Sequence, residues 1–241
     1  MFLEEYFMAS LKDLTIFLFE SAWTDDFKEE EGYLPQASIL PYVKALSENS
    51  GCNIVYRQIR TEDDFKTWAK AIKNSKTGTR VVWIAGHGVE SEGIIKIRMP
   101  DYRKTSVGNL LSPSIIKKWL GTSGKIDGII VDSCSFGNND AFTWMPDDVM
   151  WSLAYKASVN WTESVFFGIK TIEWLYERND HPKNGKNAKE IFERCLLTGG
   201  YRRKEDQFSL KEFGESLKVI FTYGIQGSGY WQALEYGKSE T

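Results

Sequence analysis

Two short stretches end in side chains that could do nucleophilic chemistry. Arg80-Val-Val-Trp-Ile-Ala-Gly-His-Gly88 runs from branched and aromatic residues into one of the two histidines of the 241-residue chain, and Gly128-Ile-Ile-Val-Asp-Ser-Cys-Ser135 runs likewise into one of its three cysteines. Both read as buried strands, and ligands and chemistry gather just past the carboxyl ends of strands in α/β sheets. A thiol near neutral pH is a weak nucleophile until it loses its proton, and an adjacent imidazole supplies the base or, as imidazolium, the stabilising charge. His87 and Cys134 therefore read as an acid-base residue and its nucleophile. Gly86 and Gly88 let the backbone turn sharply beside the histidine and lie close to a substrate, which places the amides of Gly88 and Cys134 to donate to an oxyanion. Each half alone has an ordinary explanation, since a cysteine ending a buried strand commonly packs as a small hydrophobe. The other histidine, His181, sits in a polar loop before Pro182 and reads as solvated.

The elements that must position this pair follow from periodicity. An apolar run over 14–20 predicts the first strand, ending at Glu20, and 38–49 predicts a helix with Pro41 in its first turn. Residues 53–59 predict a second strand, and Thr61 with Asp64 caps a helix whose apolar face carries Phe65, Trp68, Ala69 and Ile72. With the His87 strand, this alternation predicts a parallel sheet with right-handed crossovers. Residues 93–99 alternate and predict a small hairpin or flap, and Ser112-Pro113 opens a helix that stops at Gly121. After the Cys134 strand come a loop over 135–148, a fifth strand over 149–158, a helix over 161–178, a polar loop over 179–187 and helices over 188–197 and 210–221. The chain is expected to be one domain over 1–241, with a core of about 14–178 and a helical extension over 187–241.

Composition narrows the class. A formal charge of −3 and a pI near 5.6 speak against a general polyanion binder, so no nucleic-acid partner is expected. Cys52, Cys134 and Cys195 match no metal or disulfide spacing, which suits a reducing cytoplasm. Glu4 and Glu5 stand where a signal peptide needs positive charge, and no apolar run reaches membrane-spanning length, so neither a targeting segment nor a membrane partner is expected. The nine tryptophans predict an aromatic core rather than a ligand cage.

At the two reactive stretches the sequence resembles the clan CD, caspase-like cysteine peptidases. The likeness is to the metacaspase pattern, Gly-His-Gly for the base and Asp-Ser-Cys-His-Ser-Gly for the nucleophile, which read here as Gly86-His87-Gly88 and Asp132-Ser133-Cys134-Ser135-Phe136-Gly137. The two reactive residues are 134 − 87 = 47 apart, close to the ~50 of the caspase spacing. Small bacterial caspase-like proteins are similar over Tyr155 to Phe166, with Trp161-Thr-Glu-Ser164. The resemblance implies an α/β fold, a caspase-like three-layer α-β-α sandwich with a mostly parallel central sheet, and a cysteine endopeptidase with His87 and Cys134 as dyad. It implies that Asp132 lines the primary specificity pocket and prefers Arg or Lys, through paired charge-assisted hydrogen bonds, with Glu20 adding to that pocket.

It further implies a polypeptide substrate, no metal or organic cofactor, a regulatory protein or ligand that gates activity, and a bacterial effector role in stress or antiviral defence. Exposed basic residues, Lys183, Lys186 and the Tyr201-Arg-Arg-Lys204 run, are candidate self-cleavage points. Ala85 departs from the family, which usually has Ser two before the histidine, and Ser135 and Phe136 depart after the cysteine. The competing expectation is a non-catalytic caspase-like interaction module. A nucleotide-binding sheet is disfavoured because no glycine-rich loop follows the first strand.

Overall fold

A strand that is buried at every position must be covered on both faces, and β1, Leu14–Ser21, is such a strand. The computed structural model describes residues 11–21, 38–75, 78–99, 109–176, 181–198, 218–225 and 230–235. Helix α1, Leu40–Ser50, carries Pro41 in its first turn, where a missing N–H has no helical acceptor to lose, and ends at Gly51, whose φ of 80° suits glycine. Strand β2 is Asn53–Ile59, and α2, Glu62–Lys73, starts in a reciprocal capping box. There the Asp64 N–H donates to the Thr61 hydroxyl at 3.1 Å and the Thr61 N–H to the Asp64 carboxylate at 3.0 Å. Strand β3 is Thr79–Ala85.

A hairpin forms immediately after His87, from β4, Gly88–Ser91, and β5, Ile94–Arg98, so the stretch over 93–99 expected to make a hairpin or flap by itself supplies only the second strand. Its two turn residues, Glu92 and Gly93, have φ of 57° and 72°, the left-handed pair that matches strand twist in a tight hairpin. The short β6, Leu110–Leu111, completes a separate sheet of order β4-β5-β6. Helix α3, Pro113–Leu120, is capped by Ser112, whose hydroxyl accepts from the Ile115 N–H. Then follow β7, Gly128–Asp132, β8, Trp151–Tyr155, α4, Trp161–Tyr176, and α5, Gly185–Thr198.

The chain ends differently from expectation. In place of a helix reaching Phe221, residues Val219–Ile225 form β9 and Tyr230–Glu235 form β10, while residues 210–217 of that expected helix lie outside the described residues. The reason is period-two burial: Val219, Phe221 and Tyr223 are 0%, 0% and 6% exposed and join one core, while Ile220 packs toward the other. Phe221 stacks on Phe192 of α5 at 4.1 Å and on Trp151 of β8 at 5.9 Å, each such pair contributing about 1 kcal/mol beyond its area.

The main sheet has seven strands in the order β10-β9-β8-β7-β3-β1-β2. From β8 to β2 every neighbour is parallel, and β9 and β10 add antiparallel. Helices α1, α4 and α5 cover one face over Leu18, Trp83, Ile130 and Leu153, and α2 and α3 cover the other over Phe19, Ile84, Val131 and Ala154. The expected three-layer α/β sandwich with a mostly parallel sheet is thus the observed one, and its tryptophans Trp83, Trp144 and Trp151 are core. Among the described residues no helix is long and apolar enough to cross a membrane. Lys186, expected in a loop, lies in α5. His181 is half-buried rather than solvated, its ring 5.6 Å from that of Tyr176.

Candidate active site

Strand register decides which side chains share the carboxyl edge. Glu20 of β1 pairs with Ala85 of β3, and Ala85 pairs with Asp132 of β7. Side chains two apart along a strand share a face. The row below, Leu18, Trp83 and Ile130, belongs to the core under α1 and α4, so Glu20, Ala85 and Asp132 face that layer too. Two residues beyond the last paired positions, His87 and Cys134 follow the carboxyl ends of these adjacent strands, and the backbone of Gly88 closes on the Cys134 carbonyl. The Gly86 N–H donates to the Asp132 carbonyl at 3.1 Å, carrying the pairing past Ala85.

The two glycines are required by close approach. A Cβ on Gly88 would fall on the carbonyl oxygen of Cys134, and one on Gly86 would stand 2.7 Å from Ile97 Cγ2 and 2.9 Å from Ser21 Cβ. The His87 loop is therefore wedged between β1, β5 and the backbone of Cys134. Across β4 and β5, Gly88 pairs with Ile97 while the Arg98 N–H donates to the His87 carbonyl at 2.8 Å. Gly88 thus occupies a non-hydrogen-bonded position, and its N–H points away from β5.

After β7 the chain turns tightly through Ser135, whose φ of 59° is left-handed, a conformation uncommon for a non-glycine residue. Ser135 N–H donates to the Ala157 carbonyl at 2.9 Å, and Phe136 is buried edge-on against Trp144 at 5.4 Å. These hold Cys134 half-exposed at the edge. Its Sγ donates to the Val159 carbonyl at 4.0 Å and accepts from the Ser158 hydroxyl at 3.6 Å. Neither Ser158 nor Val159 was singled out by the sequence, because nothing in a loop between β8 and α4 marks it as reaching back to β7.

Below the pair lies a buried acid. Asp132 is 1% exposed, and among the described residues neither carboxylate oxygen has a hydrogen-bond partner. Burial pushes its pKa from 3.8 up to about 7, Ser164 and Trp83 pull it back, and the charge of Glu20 pushes it up again. Ser164 and Trp83 are near but miss bonding geometry: the Ser164 hydroxyl donates instead to the Trp161 carbonyl at 3.0 Å, and the Trp83 Nε1–H also has no partner among the described residues. Ser164 reaches this depth because Gly168, one helical turn on, lets α4 press onto the Trp83 ring, into which a Cβ would sink. Tyr155 is raised by its own burial first and then by the Asp132 charge.

Glu20 is also buried but differently engaged. Its carboxylate accepts from the Ser38 hydroxyl at 2.6 Å and from the Ile39 N–H at 2.8 Å, so it ties β1 to the start of α1. Tyr56, pushed up to about 12 by burial and then by Glu20, lies on its outer side. The structure thus brings His87, Gly88, Cys134 and Asp132 to one edge, with Glu20 two strands from Asp132 across the small Ala85.

No family model and no curated protein sequence matches the chain. Among solved structures, the Drosophila initiator caspase Dronc aligns at 12% identity over 82% of this chain and 76% of its own, with a TM-score of 0.47. A secreted C11 cysteine protease from Bacteroides thetaiotaomicron, solved with an irreversible peptide inhibitor, aligns at 9% identity over 87% of this chain and 65% of its own, with a TM-score of 0.49. Likenesses at this level transfer no residue's role, so the functional reading rests on the residues of this chain.

Proposed function

We propose that the protein is a cysteine endopeptidase of caspase-like fold that cuts polypeptides after basic residues. The observation that supports the reading is the shared carboxyl edge: His87 and Cys134 follow adjacent paired strands, and one of those strands ends in the buried Asp132, whose oxygens have no hydrogen-bond partner among the described residues. A structural carboxylate would have acquired donors, because burying one without them is costly. An arginine or lysine side chain entering between Asp132 and Glu20, over Ala85, supplies both the missing donors and the missing charge.

In the reaction the Cys134 thiol gives its proton to His87, and Sγ bonds to the scissile carbonyl carbon. The amides of Gly88 and Cys134 hold the resulting oxyanion. His87 passes the proton to the leaving amine as the C–N bond breaks, and then takes one from the water that hydrolyses the thioester, returning it to the thiol. Asp132 is sealed at 1% exposure, so a basic side chain reaches it only after the edge opens. This supports a regulatory protein or ligand that gates an effector peptidase.

The test is a set of internally quenched peptides differing only in the residue before the cut, assayed with candidate activators on wild type, Cys134→Ala, His87→Ala and Asp132→Asn. Cleavage confined to Arg and Lys, absent from both dyad variants and weakened in Asp132→Asn, is expected. Cleavage after Asp or Leu removes the specificity assignment, and no cleavage under any condition leaves the non-catalytic interaction module as the better account.

A further inference from the structure

Given the peptidase reading, on which this inference rests, we propose that the outer edge of β4 is a docking strand for the substrate residues that follow the scissile bond. The hairpin has two flanks. On the β5 side the flank is filled: Ile97 and Arg98 pair with Leu111 and Leu110 of β6. Further along, the Asn139 side chain imitates a strand, its Oδ1 accepting from the Ile95 N–H at 3.1 Å and its Nδ2 donating to the Ile95 carbonyl at 2.8 Å. On the other side, among the described residues, β4 is the edge of its sheet.

The ladder fixes which groups that edge presents. With the two-residue turn at Glu92 and Gly93, and the bond from Arg98 N–H to the His87 carbonyl, Gly88 and Glu90 both fall at non-hydrogen-bonded positions opposite Ile97 and Ile95. Their N–H and C=O groups point outward, away from β5. The two residues are about 6.7 Å apart along the strand, the repeat of an extended peptide.

The direction of the substrate follows from the site. His87, which hands a proton to the leaving amine, immediately precedes β4, whereas Asp132, which receives the side chain before the cut, is on β7. The chain after the cut therefore leaves over β4, continuing from the oxyanion donor that is β4's first residue. Parallel pairing then places the carbonyl of the residue before the cut on the Gly88 N–H. The second residue after the cut donates its N–H to the Gly88 carbonyl and accepts at its C=O from the Glu90 N–H. The first and third residues after the cut make no bond to β4. Recognition through main-chain groups at a sheet edge is an established mode of peptide binding.

The experiment uses three internally quenched peptides with one cleavable arginine: unmodified, N-methylated at the second residue after the cut, and N-methylated at the third. Values of kcat/KM are taken per active site titrated with a covalent thiol reagent. Methylation at the second residue should lower kcat/KM by about three- to tenfold, the weight of one hydrogen bond, while methylation at the third changes it by less than twofold, on the order of experimental scatter for such pairs. Glu90→Pro removes an outward donor that makes no ladder bond, a change edge strands accept, and should lower kcat/KM of the unmodified peptide by about three- to tenfold. Equal rates for all three peptides, or equal losses at both positions, overturn the docking strand and leave the peptidase reading intact. If no peptide is cut, the peptidase reading falls and this one with it.

Discussion

Replacing Asp132 by Asn should make the protein more stable, and only above acidic pH. In the unfolded chain this carboxyl ionises near 3.8, whereas in the folded protein burial holds its proton until about 7. Between those values the folded state binds more protons than the unfolded one, so stability falls as pH rises. The loss is absent below the unfolded value and complete above the folded one. At about 1.4 kcal/mol per pH unit, the interval from 3.8 to about 7 amounts to about 4 kcal/mol. Asn keeps the shape, carries no charge and avoids that loss. Urea denaturation followed by tryptophan fluorescence should therefore show Asp132→Asn more stable than wild type by about 2–4 kcal/mol at pH 8, with the difference shrinking to within about 1 kcal/mol at pH 4. If Asp132→Asn is no more stable than wild type at pH 8, the carboxylate has donors that satisfy its charge. The case for a pocket kept empty of partners for a substrate cation then fails.

The same carboxyl should govern substrate binding: KM for an arginine peptide should rise as pH drops below about 7, and the dependence should disappear in Asp132→Asn, as steady-state kinetics from pH 5.5 to 8.5, a range of about three units around that value, would show. Gly88→Ala puts a methyl onto the Cys134 carbonyl, so it should destabilise by about 1–3 kcal/mol as overpacking does and abolish labelling of Cys134 by thiol probes even where the variant remains folded by circular dichroism. Ala85→Ser sets a hydroxyl between Glu20 and Asp132; it should give Asp132 a donor, lower its pKa and narrow the pH window of the stability loss, measured by the same denaturation series. Thr61→Ala breaks the capping box of α2 and should cost about 1 kcal/mol with no change in peptide cleavage.

What the sequence discloses here is chemistry carried along the chain. The capping box is visible because Thr61 and Asp64 are three residues apart. The strands before His87 and Cys134 are visible because branched runs of that length bury on two sides. What it conceals is chemistry carried across the chain. Ala85 reads along the chain as a missing polar group, and the register puts it between Glu20 and Asp132. Glu20 reads along the chain as a pocket residue, and its bonds to Ser38 and Ile39 show it tying β1 to the start of α1. Residues 219–221 read as the end of the helix expected over 210–221 because a short apolar run carries no period long enough to separate helix from strand. Only its pairing with β8 settles the matter. Ser158 and Val159 meet the Cys134 thiol from a loop whose composition gives no hint of it.

The central claim is that Cys134 is a nucleophile served by His87 and addressed by a basic side chain. It is tested most directly by incubating the protein with an arginyl acyloxymethyl ketone and reading the intact mass, with peptide mapping of the modified site. The account predicts a single adduct on Cys134 that is suppressed in His87→Ala and Asp132→Asn and is absent from Cys134→Ala. An adduct that persists in Cys134→Ala, or one distributed over Cys52 and Cys195 as readily as Cys134, would contradict it.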